Sequence, residues 1–217
     1  MRTDEEIRRD VVAELKWVPE VNETDIAVNV YGGVVTLTGF VGSSFQKYRA
    51  ERAARRLRGV AAVANDIQVR WVGTRPTDPE IARATVAVLQ TEMPSAASQL
   101  RPMIHEGRVT LLGEVEWQYQ RELAERLMHA IPGVVSVRNS IRIRPKAVPE
   151  RNIKEQIEAA FRRLATVDAE RIAIEAKGPE VTLRGEVRSC AERDAAVTAA
   201  WSAPGVSEVN NQLIVRP

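Results

Sequence analysis

Apolar residues recur along this chain in two alternating rhythms. Ile7, Val11 and Leu15 follow at helical spacing, and Thr3 with Glu6 three residues later has the pattern of a capping box at the helix start. Beyond Pro19 the period drops to two. Ile26, Val28 and Val30 alternate with other residues, Tyr31-Gly32-Gly33-Val34 supplies the positive φ values of a tight hairpin, and Val35, Leu37 and Val41 alternate on the return. Ser43 with Gln46 reads as a second capping box, and Ala50, Ala53, Ala54 and Leu57 form the stripe of a second helix whose alanines imply close approach to a sheet. Gly59 is expected to end that helix as a glycine C-cap. Val60, Val63, Ile67 and Val69 then lead into a third strand. The predicted order is helix, strand, strand, helix, strand.

The same frame occurs three times. Val35-Thr36-Leu37-Thr38-Gly39 returns as Val109-Thr110-Leu111-Leu112-Gly113 and Val181-Thr182-Leu183-Arg184-Gly185, and 20 residues after each last glycine stand Gly59-Val60, Gly133-Val134 and Gly205-Val206. Six residues beyond those glycines come Asn65, Asn139 and Asn211. The second copy is offset by 74 and the third by a further 72. An α+β protein of three tandem small αββαβ domains follows, with boundaries expected at 1–73, 74–146 and 147–217. The core is refilled between copies: Ala124, Leu127, Met128 and Ile131, then Ala196, Ala199, Ala200 and Ala203, replace the first alanine stripe. Pro149 replaces the capping threonine of the third copy, and Trp117 the serine found at Ser43 and Ser189. Short joins containing proline predict restricted linkers.

Composition narrows the function classes. The chain has 217 residues, 44% hydrophobic and 28% charged, and its net charge of +2 is spread near balance over the copies, which argues against nucleic acid as a partner. A single cysteine, Cys190, excludes an intramolecular disulfide. Neither a leader-like apolar region at the N-terminus nor an apolar run of about 18 residues is present, and the expectation is a soluble, cytoplasmic protein.

The hairpin Gly-x-Val-Thr-Leu-x-Gly-x-Val (Gly33 to Val41, Gly107 to Val115), the Gly-Val pair and the asparagine before the last strand resemble the BON domain, the transport-associated domain of bacterial osmotically induced and nodulation proteins. The third copy departs, with Gly178-Pro179 at its turn. What the resemblance implies is a small mixed three-stranded sheet with two helices on one face, acting as a non-enzymatic module. The family is associated with phospholipid membranes, envelope integrity and osmotic stress, often in the periplasm, and has a cytoplasmic potassium-binding relative.

No catalytic constellation stands out. The repeated glycines Gly33, Gly39, Gly59, Gly107, Gly113, Gly133, Gly185 and Gly205 read as structural, at turns, close approaches and helix ends, and the three asparagines as side-chain to backbone anchors of a turn. His105 and His129 lack a third ligand and are expected to be exposed, so no metal and no cofactor is expected. Cys190, between Arg188 and Arg193 in the first turn of a helix, reads as a small structural residue. Lys47, Arg49, Arg52, Arg55, Arg56 and Arg58, offset by Glu51, form the candidate patch for an anionic phospholipid surface; the alternative is a solvated face paired with acids of the first helix. Trp71 is expected to pack between domains, with Trp117 and Trp201 open between packing and interface roles. Envelope or transport proteins are the other candidate partners, and an ion or small-ligand sensor or a protein scaffold are the alternative functions.

Overall fold

The computed structural model describes residues 2–71, 73–164, 167–188 and 190–215. The first repeat contains α1 (Asp4–Lys16), β1 (Ile26–Tyr31), β2 (Val34–Val41), α2 (Ser44–Arg55) and β3 (Ala62–Val69). The second contains α3 (Asp78–Glu92), β4 (Leu100–His105), β5 (Arg108–Val115), α4 (Gln118–His129) and β6 (Ser136–Ile143). The third contains α5 (Glu150–Arg163), β7 (Ile172–Lys177), β8 (Glu180–Val187), α6 (Cys190–Trp201) and β9 (Glu208–Val215). Three sheets result, in orders β1-β2-β3, β4-β5-β6 and β7-β8-β9. The hairpin strand is central each time. β2 runs antiparallel to β1, from Ile26 opposite Gly39 to Tyr31 opposite Val34, and parallel to β3, from Val34 opposite Ala62 to Val41 opposite Val69. A parallel neighbour demands a crossover, and α2 is that crossover.

The described chain divides into two compact units, residues 1–92 with 102–111 and 125–138, and residues 93–101 with 112–124 and 139–217. In the first unit, Ile7, Val11 and Leu15 of α1 and the alanines of α2 close over Val35, Leu37 and Ile67. In the second, Ile153, Ile157 and Phe161 of α5 and Ala196 and Ala200 of α6 close over Val181, Leu183 and Leu213. The opposite face of the first sheet lies open, with Tyr31 86% and Phe40 38% exposed.

Gly39, Gly113 and Gly185 have φ of 133°, 126° and 138°. A Cβ there would overlap the carbonyl oxygen of Asp25, Gln99 or Arg171, each just before the first strand of its repeat. The other glycines meet at the far end of the hairpin. Asp4 accepts from the N–H groups of Gly32 and Gly33 at 2.7 and 2.9 Å, the Gly33 carbonyl accepts from Ala61 N–H at 2.8 Å, and a Cβ on Gly59 would crowd Ile7 of α1 at 3.1 Å. Asp78 takes both turn N–H groups of the second repeat at 2.8 Å, and these bonds, the Gly107 N–H first, hold its carboxyl below the usual range. The third turn has only one positive φ, at Gly178, and Pro179 offers no N–H; there the acid is the longer Glu150, which accepts from Gly178 N–H at 2.6 Å.

Several local expectations change. α2 ends at Arg55, its cap is Arg56 in the right-handed region, and Leu57 N–H bonds to the Ala54 carbonyl, so Leu57 and Gly59 lie in the turn that follows and Gly59 is not the cap. Asn65, Asn139 and Asn211 stand inside β3, β6 and β9, not ahead of them. Their side-chain oxygens accept from Ile67, Ile141 and Leu213 N–H, while Asn65 and Asn139 donate to the Lys47 and Arg121 carbonyls of the crossover helix. Thr3 and Glu6 form the reciprocal box, but Gln46 reaches past Ser43 to Gly42 N–H at 2.7 Å. Gln120 likewise accepts from both Glu116 and Trp117 N–H at 3.1 Å, while its own N–H, which a serine hydroxyl would take, donates to the Trp117 carbonyl at 3.1 Å. Ser189 lies outside the described residues.

Thr85 of α3 occupies the position held by Val11 in α1 and Ile157 in α5; it is 0% exposed, and its hydroxyl has no hydrogen-bond partner among the described residues. Thr85→Val is expected to raise stability by about 1 kcal/mol, by removing an unsatisfied hydroxyl without changing the volume filled. Gly39→Ala is expected to cost at least about 2 kcal/mol, because both the overlap and the positive φ oppose it. Urea denaturation of the full chain measures both; a neutral Gly39→Ala contradicts the close approach, and a destabilising Thr85→Val contradicts the unsatisfied hydroxyl.

Candidate functional site

The six basic residues of the first repeat do not act as one free patch. Lys47 turns back to donate to the Ile67 carbonyl at 2.7 Å. Arg56 pairs with Glu14 of α1 at 3.0 Å, Arg49 with Glu20 at 3.5 Å and Arg55 with Glu51 one turn away at 3.6 Å. The carboxylates that neutralise them lie largely outside the helix that carries the charge. Arg58 lies beyond α2, is exposed, and its carbonyl accepts from Arg2 at 3.0 Å. Arg52 donates to the Tyr48 hydroxyl at 3.2 Å.

A second element reshapes this surface. Arg49, Arg52 and Arg56 of the first repeat and Arg126 of α4 line one cleft of about 250 Å³, together with Phe45 and Tyr48. Among the described residues no carboxylate pairs with Arg52 or Arg126. The helix that carries Arg126 also makes a contact with α2. His129, three residues on, stacks on Tyr48 with ring centroids 4.7 Å apart at 22°, and its Nδ1 lies 2.6 Å from the Ser44 hydroxyl. His129 is therefore largely enclosed, not exposed as expected, and burial pushes its imidazole down to about 4. His105 is exposed at the end of β4. Among the described residues no group of three His, Cys, Asp or Glu is placed to hold a metal. Cys190 opens α6, and its side chain lies outside what is described.

Three features escaped the sequence pattern. Trp17, just past α1, is 84% exposed. Trp71 bonds through its indole N–H to the Thr74 carbonyl at 3.3 Å, a contact local to the join. Glu192 of α6, at the position of Gln46 and Gln120, is only 5% exposed and accepts from Asp168 and Arg188 N–H at 2.9 and 2.7 Å. Burial would raise its carboxyl, but those backbone bonds outweigh it and the net shift is downward.

The model of the BON domain family matches residues 3–70, 77–145 and 149–217. The chain belongs to the BON domain family. Osmotically-inducible protein Y of Escherichia coli (strain K12) is 32% identical over 148 residues, spanning 64% of this chain and 72% of that protein. Among solved structures, CdsD, a structural protein of the Type III secretion system of Chlamydia trachomatis, aligns with 98% of this chain and 93% of its own at 15% identity and a TM-score of 0.28. The periplasmic domain of PrgH from S. typhimurium covers 89% of this chain and 95% of its own at 14% identity and 0.23. Scores that low carry no argument about shape or partners. Among the described residues of this BON protein, no helix is long and apolar enough to cross a membrane.

The enclosed histidine makes the contact between the first and second BON repeats sensitive to pH. Folding keeps His129 neutral down to about pH 4, whereas the unfolded chain takes up the proton near 6.5. The contribution is thus complete above pH 6.5 and is lost progressively as pH falls toward about 4, to a total of roughly 3 kcal/mol. His129→Phe is expected to flatten the pH profile of the urea midpoint between those limits, and an unchanged slope would show that the imidazole is freely protonated in the fold.

Proposed function

We propose that this BON protein is a non-enzymatic, stress-associated binding protein that attaches peripherally to anionic phospholipid surfaces through the arginine cleft. The observation that carries the reading is the convergence of Arg49, Arg52, Arg56 and Arg126 around Phe45 and Tyr48. Arginine forks match phosphate oxygens two at a time, and an unpaired guanidinium beside an aromatic edge suits the boundary between headgroup and acyl chain. Arg52 and Arg126 are the residues that engage the phosphate, since Arg49 and Arg56 already have carboxylate partners. The similarity to osmotically-inducible protein Y of Escherichia coli supports the stress association. A cytoplasmic site of action is part of the proposal, to be checked by cell fractionation.

An envelope protein as partner is a second reading, favoured by the open face of the first sheet. Tyr31, Val34 and Phe40 are exposed on it, strand alternation places Asp66 there, and Arg70, just past β3, lies over the Phe40 ring with its guanidinium carbon 3.2 Å from the centroid.

Co-sedimentation with phosphatidylglycerol-containing vesicles, against phosphatidylcholine alone, tests the lipid reading at low and physiological salt. Attachment to the anionic vesicles is expected, weakened by salt. Because each arginine near such a surface contributes about 1 kcal/mol, Arg52→Glu with Arg126→Glu should lower the partition coefficient at least about tenfold. Equal attachment of the double variant, or no attachment of the parent protein, would remove the cleft from the mechanism.

A further inference from the structure

The second helix of each repeat ends at corresponding positions in three different residues: Arg55, His129 and Trp201. In α4 that residue, His129, seals against Ser44 and Tyr48 of α2 by a hydrogen bond and a stack. By the repeat offset, Gln118 and Glu122 correspond to Ser44 and Tyr48, and Trp201 to His129. The second pairing does not seal. Trp201, Thr198 and Val197 of α6 face Trp117, Gln118, Tyr119 and Glu122 across an open cleft of about 570 Å³, a volume within the range of small-ligand sites.

The chemistry of this cleft is one-sided. Three aromatic rings contribute, with Trp117 and Tyr119 centroids 6.5 Å apart and tilted by 36°. Among the described residues Glu122 is the only charged one lining it, and neither lysine nor arginine does. Two side-chain donors are already used: Gln118 gives its amide N–H to Glu122 at 2.8 Å, and Ser202 gives its hydroxyl to the Thr198 carbonyl at 2.8 Å. The Gln118 side-chain oxygen is enclosed and has no hydrogen-bond partner among the described residues. Turning the amide over would set that oxygen against the Glu122 carboxylate. The negative end of the dipole therefore stays uncompensated beneath the cleft and adds to the potential of the carboxylate and of the π faces.

We propose that the Trp117–Tyr119–Trp201 cleft binds a small alkylated ammonium cation. The faces of Trp and Tyr attract cations that shed water easily, and a carboxylate at the rim supplies the counter-charge. A compact inorganic cation fits poorly, because it requires a cage of oxygen ligands that the rings do not provide. The arginine cleft takes the opposite charge, so the two sites do not compete and either can fail without the other.

The cleft supplies its own reporter. The chain has four tryptophans, and Trp17→Phe with Trp71→Phe leaves emission from Trp117 and Trp201 alone. Tetramethylammonium and choline would be titrated into the full chain at constant ionic strength, with sodium chloride and 3,3-dimethyl-1-butanol, the uncharged carbon analogue of choline, as controls. A saturable change with a Kd on the order of millimolar or tighter is expected for both ammonium ions and neither control. Tyr119→Ala with Glu122→Gln, both exposed positions, should weaken affinity about tenfold while the urea midpoint is retained. The same shift from phosphatidylcholine vesicles would mean that the cation is a lipid headgroup, and a shift from soluble cations alone that it is free; both support the assignment. No saturable change, an equal response to the uncharged analogue, or undiminished affinity in the folded double variant would overturn it.

Discussion

Every repeat is held at one end by a node where a carboxylate from the first turn of its first helix meets the hairpin turn. Asp4, Asp78 and Glu150 orient the turn, the turn residue Gly33, Gly107 or Pro179 presents its carbonyl to Ala61, Val135 or Ser207, and the glycine of the Gly-Val pair tucks beneath Ile7, Ile81 or Ile153. Three chain segments distant in sequence are fixed by a few polar bonds and two positions without side chains. Where proline removes one donor from the third turn, the clamping acid lengthens from Asp to Glu and keeps the remaining bond. The repeated motif is thus consumed by architecture, and function has to reside in what varies around it.

That division explains which features were legible in the sequence. The helix and strand periods located every element of the first repeat to within a few residues, because the half-buried strands and the α1 stripe each record burial in their own spacing. Strand order left no such record: a central β2 and an edge β2 bury the same alternate residues, and only the parallel register with β3 distinguishes them. Asn65 reads as preceding its strand because asparagine favours turns, whereas its amide in fact ties β3 to α2.

The candidate site was harder to read for a related reason. A run of arginines on one helix is visible at once, but the acids that neutralise part of it are not: Glu14 and Glu20 belong to α1 and the segment after it, and reach Arg56 and Arg49 only through the fold. His129 lies between Leu127-Met128 and Ala130-Ile131, and nothing near it in sequence announces the Tyr48 ring or Ser44 hydroxyl that enclose it. Such contacts between successive repeats leave no periodic trace, because one residue on each side is enough to make them.

Comparing corresponding positions recovers part of that lost information. Within one chain the three copies share a backbone plan, so a difference between them isolates a side-chain effect. Ser44 and His129 close a contact by hydrogen bonding and stacking, with arginines gathered beside it. Their counterparts, Gln118 and Trp201, leave a cleft that, among the described residues, carries one charge, the Glu122 carboxylate. The groove proposed for anions and the aromatic groove proposed for cations thus share one mode of pairing between helices and differ at a handful of positions that the node does not constrain. Tandem repetition of a small domain gains its chemical variety here, at the exposed starts and ends of the crossover helices, where substitution changes charge and aromatic surface without touching the glycines or the carboxylate on which each fold depends.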